Sequence, residues 1–361
     1  MDGFELASPG VMMPDTTMSP LVIENEAMNG HVRQVVGPDE ESIVLPGQKP
    51  GKSPTPLQDS LRRLRRDKRA MVSLAVIVLF ILIPIFGPLI YQHIGGIYDS
   101  PFHGKIRPNI YHSPFWQELD RQDELFSGQY WLGTDAIGRD LLARLMQGML
   151  VSIMVALLVE IVDVTLGITI GVLAGFYGGW IDQLLARFTD IMFAFPGLLL
   201  VIMAAATLGP IATARFGIVG RLLVVAIILG ITIWPQMARF VRGQTLQIRE
   251  QQYIEASRTV GGKNRHLILR HIVPNLFSIV IAAATLNIVG TITGEAVISL
   301  LGLGVQPPGS SLGLMISEGT QVVTTYPFEV LFPCVALVLL VVCLAFFGDG
   351  VRDAFDPRTK D

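Results

Sequence analysis

The chain has 361 residues, of which 51% are hydrophobic and 16% are charged, and its mean hydropathy is +0.52. A soluble domain carries about a quarter charged residues, so this composition excludes an ordinary soluble protein and favours a helical bundle in lipid. The net charge of −3, without a basic tract interleaved with aromatic residues, gives no support to nucleic-acid binding.

The N-terminal region has the composition of a disordered tail. Residues 1–56 hold 8 of the 22 prolines, one aromatic residue (Phe4) and no long apolar run. Such a segment cannot bury enough apolar surface to offset the entropy lost on ordering it. We therefore expect residues 1–56 to form a disordered cytoplasmic tail.

Six apolar runs follow, each of about 20 residues or more and therefore long enough for a transmembrane helix. They cover residues 71–91, 149–176, 188–208, 222–240, 276–301 and 328–347. The sequence thus predicts an all-α integral membrane protein with six transmembrane helices. The predicted parts are an N-terminal segment with the first helix and an extracytoplasmic loop (57–148), a five-helix core (149–348) and a cytoplasmic C-tail (349–361).

The distribution of Lys and Arg indicates the orientation of the chain. If the N-terminus is cytoplasmic, 20 of the 27 Lys and Arg residues lie on the cytoplasmic side and seven lie outside. Because cytoplasmic loops carry the excess of positive charge, both termini are expected in the cytoplasm. The loop between the fourth and fifth spans, residues 239–275, is then cytoplasmic as well.

This cytoplasmic loop has the pattern of two short helices. Apolar residues recur at helical spacing before the pair Gly261 and Gly262, which breaks the first helix, and Pro274 stands where the fifth span begins. The apolar positions are Leu246, Tyr253, Ile254 and Val260. An apolar stripe on a projecting loop is poorly hydrated unless a partner covers it, so the pattern predicts a docking surface.

Within this loop the sequence resembles the membrane subunits of type I ABC importers. Their signature is Glu-Ala-Ala, three residues, Gly, nine residues, then Ile-x-Leu-Pro. The chain has Glu255-Ala256-Ser257, then Gly261, then His271-Ile272-Val273-Pro274 at the same spacing. Ser257 stands for the second Ala, His271 for Ile and Val273 for Leu. The resemblance implies that Glu255, Ala256, Ser257, Gly261 and Pro274 couple the chain to an ATPase.

Other segments resemble the oligopeptide, dipeptide and nickel branch of these importers. Residues 131–140 contain its Gly-Thr-Asp-x-x-Gly-Arg-Asp stretch, and residues 300–304 and 348–357 resemble its fifth-span end and its C-terminus. Residues 237–246 are especially similar to the second membrane subunit of the oligopeptide importer. The resemblance covers about residues 57–361.

The resemblance implies a type I ABC importer permease fold in the bacterial cytoplasmic membrane, together with several partners. These are a second homologous permease, two ATP-binding subunits and an extracytoplasmic solute-binding protein, besides membrane lipid. The chain has no Gly-rich loop ending in Gly-Lys-Ser/Thr, so ATP and Mg are expected on the partner ATPase, with no cofactor and no enzyme activity on this chain. The implied cargo is an oligopeptide; a dipeptide, nickel or another solute is the alternative.

Three carboxylates lie within the predicted spans. Glu160 and Asp163 are three residues apart and share a helix face, where they could bind a peptide amino group or contact the partner permease. Glu295 could line the translocation path or brace helices. Intramembrane carboxylates are costly and usually face a cavity or a partner, so all three are candidates for the path.

The remaining polar residues receive structural interpretations. Asp135, Arg139 and Asp140 are expected to form an ion network that orients the second span at the outer surface. No His or Cys cluster has metal-ligand spacing. His266 with His271, and Cys334 with Cys343, are expected to serve as surface contacts and packing residues, respectively.

Two other classes of function remain open. A proton-coupled secondary transporter would account for the intramembrane carboxylates, although such proteins usually have more spans and inverted repeats. A scaffold without transport activity is the other alternative. The first leaves the glycine-broken loop unexplained, and the second predicts that Gly261→Pro leaves solute uptake intact.

Overall fold

A computed structural model describes residues 56–93, 131–135, 138–307 and 309–355, and the regular structure in these ranges is helical. The exception is an isolated antiparallel bridge between Thr134 and Asp140. The all-α prediction is therefore confirmed for this part of the chain. The predicted tail lies outside the described residues, apart from Pro56, which begins the first helix instead of ending the tail. Residues 94–130 of the predicted outer loop also lie outside them.

The helices are, in chain order, α1 (Pro56–Arg66), α2 (Lys68–His93), α3 (Leu141–Tyr177), α4 (Gly179–Ala194), α5 (Gly197–Arg249), α6 (Gln252–Thr259), α7 (Asn264–Leu267), α8 (Val273–Leu300), α9 (Leu312–Thr320) and α10 (Phe328–Phe355). A π-helical turn, Ile268–Ile272, joins α7 to α8. Within the described ranges, five helices are long and apolar enough to cross a membrane: α2, α3, α5, the continuous helix Asn264–Leu300 and α10.

Helix α5 accounts for the difference between five such helices and six predicted spans. Its 53 residues would extend about 80 Å if straight, whereas the hydrocarbon core of a bilayer is about 30 Å thick. The chain reverses at Gly217, where φ is +62°, a value that glycine adopts readily. A Cβ added at Gly197 would lie 3.5 Å from Cβ of Thr232, so the two halves pack side by side. The six predicted spans thus correspond to six apolar helical segments.

The predicted third span, 188–208, is interrupted. Helix α4 ends at Ala194, and Pro196 stands at the N-cap of α5. Phe195, which precedes the proline, is extended, because the proline ring disfavours helical backbone in the preceding residue. Helix α4, which precedes this break, packs against the second half of α5. The rings of Phe188 and Trp234 stack there with centroids 5.7 Å apart.

Small residues bring α3 into close contact with α5. A Cβ at Gly171 would lie 2.6 Å from the carbonyl oxygen of Ala238, and one at Gly175 would lie 2.7 Å from Cβ of Thr245. Gly167 meets Met237 one turn earlier. Glycines four residues apart allow close backbone approach between membrane helices, where van der Waals packing provides much of the association energy. Helices α3 and α5 therefore form the centre of the bundle.

The N- and C-terminal helices pack together at one end of the bundle. Leu64 of α1 and Ala70 of α2 are buried with Val351 and Ala354 of α10. The short helix α9 was not predicted from the sequence; Ser311 caps it by accepting a hydrogen bond from the backbone N–H of Leu314.

Candidate functional site

Helix α6 presents the residues that the importer resemblance implies for coupling. Glu255 and Ala256 are exposed, Ser257 is half-buried and Ile254 is fully buried. One face of this eight-residue helix is therefore anchored in the protein while the other is open to a partner. The Thr259 hydroxyl donates to the carbonyl of Glu255 at 2.9 Å, which supports the last turn.

The glycine turn lies where the sequence predicts it. Gly261 has φ +88°, in the left-handed region that favours glycine, and its N–H donates to the carbonyl of Arg258 at 3.0 Å. The N–H of Gly262 donates to the carbonyl of Ser257 at 3.0 Å. A Cβ at Gly262 would lie 2.7 Å from that carbonyl oxygen, so both glycines are required for the turn, for different reasons.

The ends of the loop differ from the prediction. Helix α5 continues to Arg249, so residues 239–249 are an extension of a membrane helix and not part of a separate helix in a loop. The second predicted short helix is likewise not separate, because Asn264–Leu300 forms one continuous helix through the π turn. Pro274 is the second residue of α8, directly after the π turn, and it has no N–H to donate to the preceding turn of this continuous helix.

The loop is anchored to the central helices by buried apolar residues. Ile254, Leu267 and Ile272 are completely buried in one apolar cluster with residues of α3, α5 and α8. The members from those helices are Val172, Phe176, Met237, Val241, Leu276 and Val280. Asn275 Nδ2 donates to the hydroxyl of Tyr253 at 2.9 Å, which joins α6 to the start of α8. Helix α6 is therefore packed against α3, α5 and α8.

Two arginines assigned to the loop from the sequence pair instead with helix α4. Arg242 donates to both carboxylate oxygens of Asp182, at 2.5 and 2.8 Å, and Arg239 donates to Asp190 at 2.8 Å. The hydrogen bonds from Arg242 hold the pKa of Asp182 below its ordinary value of 3.8. These two ion pairs link α4 to the C-terminal part of α5.

Glu295 lies at a junction of three helices. Its side chain is 1% exposed and accepts hydrogen bonds from Ser152 of α3 at 3.0 Å and from Ser299 of α8 at 2.6 Å. Ser311, at the N-cap of α9, donates to the hydroxyl of Ser299 at 3.2 Å. This geometry favours the bracing role for Glu295 over a place in an open path, because its carboxylate is enclosed and hydrogen-bonded.

Glu160 and Asp163 are buried but incompletely hydrogen-bonded. Asn287 of α8 donates to Asp163 at 3.2 Å. Neither Oε1 nor Oε2 of Glu160, nor Oδ1 of Asp163, has a hydrogen-bond partner within the described residues. Buried polar atoms without a partner are uncommon and call for a ligand, a water molecule or a conformational change. The pair therefore stays a candidate for the path, with Asn287 added to it.

A cavity of about 480 Å³ lies next to this pair, between α5, α8 and α10. Asn287 belongs to its lining and so connects it with Asp163. Its polar lining is completed by the amides of Gln236 and Gln244 and by the Arg352 guanidinium. Amide side chains can both donate and accept hydrogen bonds, which suits them to peptide groups. Sequence reasoning missed this set because single Gln and Asn residues in apolar runs carry no motif.

The predicted outer ion network is present and larger than predicted. Asp135 accepts from Arg139 at 2.6 Å and from Arg144 at 2.7 Å, and both arginines also bind Glu318 of α9, at 2.9 and 2.6 Å. Asp140 instead caps α3, because its carboxylate accepts hydrogen bonds from the backbone N–H groups of Leu142 and Ala143. The acidic partner from α9 was missed, because it is 174 residues from Arg144.

The cysteines and histidines show no metal-binding arrangement within the described residues. Cys334 is half-buried, Cys343 is buried, and both are free thiols. The rings of His266 and His271 lie 5.7 Å apart edge to face, within the loop 239–275.

Comparison with known proteins decides the family. Residues 167–361 match the protein family described as the binding-protein-dependent transport system inner membrane component. Residues 55–101 match the family described as the N-terminal transmembrane domain of oligopeptide transport permease C. The chain belongs to this family of inner membrane permeases. The resemblance to the oligopeptide and dipeptide branch, and to its second membrane subunit, is thereby confirmed.

Several curated permeases are similar to the chain over most of their length. It is 35% identical to the glutathione transport system permease protein GsiD of Escherichia coli O6:K15:H31, covering 88% of this permease and 95% of that protein. It is 36% identical to the oligopeptide transport system permease protein OppC of Bacillus subtilis, covering 84% and 90%. It is 34% identical to the dipeptide transport system permease protein DppC of Alkalihalophilus pseudofirmus, covering 85% and 91%.

Among solved structures, an inward-facing MetNI methionine ABC transporter resembles this permease with a TM-score of 0.48 and 19% identity, covering 59% of this chain and 96% of that one. The family assignment rests on the sequence matches. It makes this permease a multi-pass inner membrane transport component, in agreement with its apolar helices.

Proposed function

We propose that this permease forms half of the translocation pathway of an ATP-driven importer of oligopeptides, and that α6 couples it to a separate ATPase. A second homologous permease supplies the other half. Two ATP-binding subunits hold ATP and Mg, and an extracytoplasmic protein delivers the solute. Both termini face the cytoplasm, and this chain performs no catalysis. The observation that carries the proposal is the exposed Glu255–Ala256 face of α6, anchored by a buried Ile254.

The mounting of α6 supports a coupling role. A helix that merely projected into solvent would move without consequence for the spans. Here Ile254 packs in the same cluster as Met237 and Leu276, on α5 and α8. Because packed apolar clusters resist deformation, closure of the ATPase pair on α6 is transmitted to the central helices as a rigid-body movement.

The cavity beside Asn287, with polar groups on a mostly apolar wall, supports a path for peptides on this permease. Its α5 wall runs from Gln236 to Gln244 and its α8 wall from Ile279 to Asn287, each about 12 Å of helix rise. An extended peptide advances about 3.3–3.6 Å per residue, so this length suits three or four residues. Asp163 accepts a hydrogen bond from Asn287, and Glu160 precedes it by three residues on α3, so that both carboxyl groups could accept hydrogen bonds from a peptide amino group when the path opens.

The names of similar permeases support a class of cargo, compounds with peptide bonds, and not one particular solute. Permeases similar to this one are named for glutathione, oligopeptide and dipeptide transport, and all of these solutes contain peptide bonds. A glutathione-like tripeptide is the second candidate, since GsiD is 35% identical over 88% of this permease. Nickel was the other cargo suggested by the sequence. A nickel ion would meet no cluster of His, Cys, Asp or Glu ligands in the described residues.

The proposal is tested by purifying the tagged permease from its native membrane and reconstituting what co-purifies. We expect a second permease and an ATPase to co-elute, and vesicles containing the complete assembly to accumulate labelled oligopeptide only with ATP. Competition by unlabelled dipeptide, glutathione and nickel then ranks the cargo. Peptide uptake by this chain alone, driven by a proton gradient, would refute the proposal in favour of a secondary transporter. An assembly that binds the ATPase but transports nothing would favour the scaffold alternative.

A further inference from the structure

Helix α1 carries a basic face that has no role in the function proposed above. This face consists of Arg62, Arg65 and Arg66, which share one side of the helix because they are spaced at i, i+3 and i+4. All three side chains are exposed, whereas Leu64, on the other side of α1, is buried against α10. The three cations therefore point away from the helical bundle.

The charge of the basic face is not compensated in the described part of the chain. Residues 62–69 contain six Lys or Arg residues and a single acidic one, Asp67. The Asp67 carboxylate accepts a hydrogen bond from the backbone N–H of Arg69 at 2.9 Å, at the start of α2. The three arginines of the basic face form no ion pair within the described residues. Cations gathered without a counter-charge favour the binding of an anion.

The contact between α2 and α10 marks one boundary of the hydrocarbon core. Ala70 of α2 meets Gly350 of α10. Ala70 precedes the apolar run of α2, which extends to Tyr91, about 32 Å of helix rise away. Helix α10 rises about 33 Å from Phe328 to Gly350, and charged residues follow its apolar run from Asp349 onwards. Both helices thus cross about 30 Å, the thickness of one hydrocarbon core, between this contact and their other ends.

The basic face lies within reach of lipid headgroups on this side. Arg66 precedes Ala70 by four residues and Arg62 by eight, which is at most about 6 Å and 12 Å of helix rise. The polar layer on each side of a bilayer is roughly 5–8 Å thick, and the field of an anionic surface extends about 8–10 Å further into water. An anionic membrane surface therefore attracts all three cations of the face.

Two other anionic partners compete with lipid on charge alone. One is the N-terminal part of the chain, since residues 1–55 hold eight Asp or Glu residues and three Lys or Arg residues. The other is an acidic surface on a soluble partner. Leu61 favours lipid over both, because this apolar side chain is 51% exposed directly beside Arg62 and Arg65. An apolar side chain next to cations suits the boundary between headgroups and acyl chains.

We propose that the basic face of α1 binds the headgroups of anionic phospholipids. The lipids neutralise the three arginines and hold the junction of α1 and α2 at the membrane surface. Because Leu64 packs with Val351 and Ala354, the same lipids fix the C-terminal end of α10. The inference depends on the membrane position of α2 and α10, and on neither the cargo nor the ATPase.

The experiment measures binding of individual lipids to the purified full-length chain by native mass spectrometry. The delipidated protein is titrated with phosphatidylglycerol or with phosphatidylcholine. The variants are Arg62→Gln/Arg65→Gln and the charge-retaining Arg62→Lys/Arg65→Lys. The matched control is Lys263→Gln/Arg265→Gln, which removes two exposed charges about 17–20 Å of helix rise from the apolar run that begins at Leu276. Circular dichroism checks that each variant is folded.

We expect Arg62→Gln/Arg65→Gln to weaken binding of the first phosphatidylglycerol roughly 25-fold, at about fivefold per charge near an anionic surface. The lysine pair and the control should keep the affinity of the original protein, and phosphatidylcholine binding should not change. An equal loss in the control, or displacement of the lipid by inorganic phosphate, would overturn the inference.

A further variant, Glu40→Gln/Glu41→Gln, tests whether residues 1–55 occupy the basic face instead. We expect its phosphatidylglycerol affinity to equal that of the original protein. A clear gain in affinity would show that the acidic N-terminal residues cover the face and would overturn the inference. Loss of ATPase binding in Arg62→Gln/Arg65→Gln with unchanged lipid affinity would overturn it in favour of a soluble partner. Peptide uptake in the complete importer tests the proposed function separately.

Discussion

Replacement of Gly261 by alanine should measure how far the proposed docking of the permease on its ATPase depends on the left-handed backbone conformation of the glycine turn. The residue has φ +88°, and a Cβ there would meet no described atom within 4 Å, so the substitution adds backbone strain without a steric clash. An L-residue in the left-handed region costs roughly 1–2 kcal/mol. At 1.4 kcal/mol for each factor of ten, the population of the docking conformation should fall about 5- to 30-fold.

Gly243→Ala supplies the matched control. Gly243 is exposed on α5, has helical backbone and is equally open around its Cα. Alanine there should stabilise the helix by about 0.5–1 kcal/mol, so the same substitution has the opposite sign at the two positions. Gly261→Asn should fall between them, because asparagine tolerates the left-handed region better than alanine does.

The assay is the affinity of the purified permease for its ATPase, measured by titration in detergent, followed by uptake in vesicles. Gly261→Pro should abolish uptake while the protein still inserts, since proline cannot adopt φ +88° and removes the N–H that donates to Arg258. Equal ATPase affinity for Gly261→Ala and Gly243→Ala would refute the view that the turn conformation is needed for docking.

Three further predictions concern the charged residues. Glu295→Ala should cost about 3 kcal/mol of stability by leaving buried serines without an acceptor, whereas Glu295→Gln should retain most stability and uptake; abolished uptake in a fully stable Gln variant would indicate a place in the path instead. Arg144→Gln should lower thermal stability more than Arg139→Gln, because the Arg144 side chain is 6% exposed against 16%; equal shifts in melting temperature would contradict this. The Asp182–Arg242 pair depresses the pKa of the carboxyl, so its stabilisation should persist from pH 8 to about pH 4 and be lost as the pH falls further, through the folded-state pKa. The stability difference between the original protein and Asp182→Asn should shrink over that acid range, and a difference that does not change with pH would contradict the pairing.

Local sequence signals predicted the elements whose structure depends on neighbouring residues. The Gly261–Gly262 turn follows from the conformational freedom of glycine. The break at Pro196 was not predicted, because the apolar run 188–208 continues through the proline. The apolar runs located the membrane segments, since each must satisfy its own backbone hydrogen bonds in lipid. The helix ends were less well predicted, because α5 extends beyond the apolar run to Arg249.

The roles of the buried charges depended on contacts between distant parts of the chain. Asp163 meets Asn287 across 124 positions, and Glu295 meets Ser152 across 143. No local pattern distinguishes a carboxylate enclosed by serines from one with unpartnered oxygens. The sequence therefore offered Glu160, Asp163 and Glu295 as equivalent candidates, and the structure separates Glu295 from the other two.

By itself, the sequence determined that the protein is a helical membrane permease with a glycine-broken loop, because hydrophobic length and turn residues act over short distances along the chain. Tertiary structure decided that α5 folds back at Gly217 and that Ile254 anchors α6 in the central cluster. These features arise from packing and electrostatics between helices, which depend on which faces meet in the bundle.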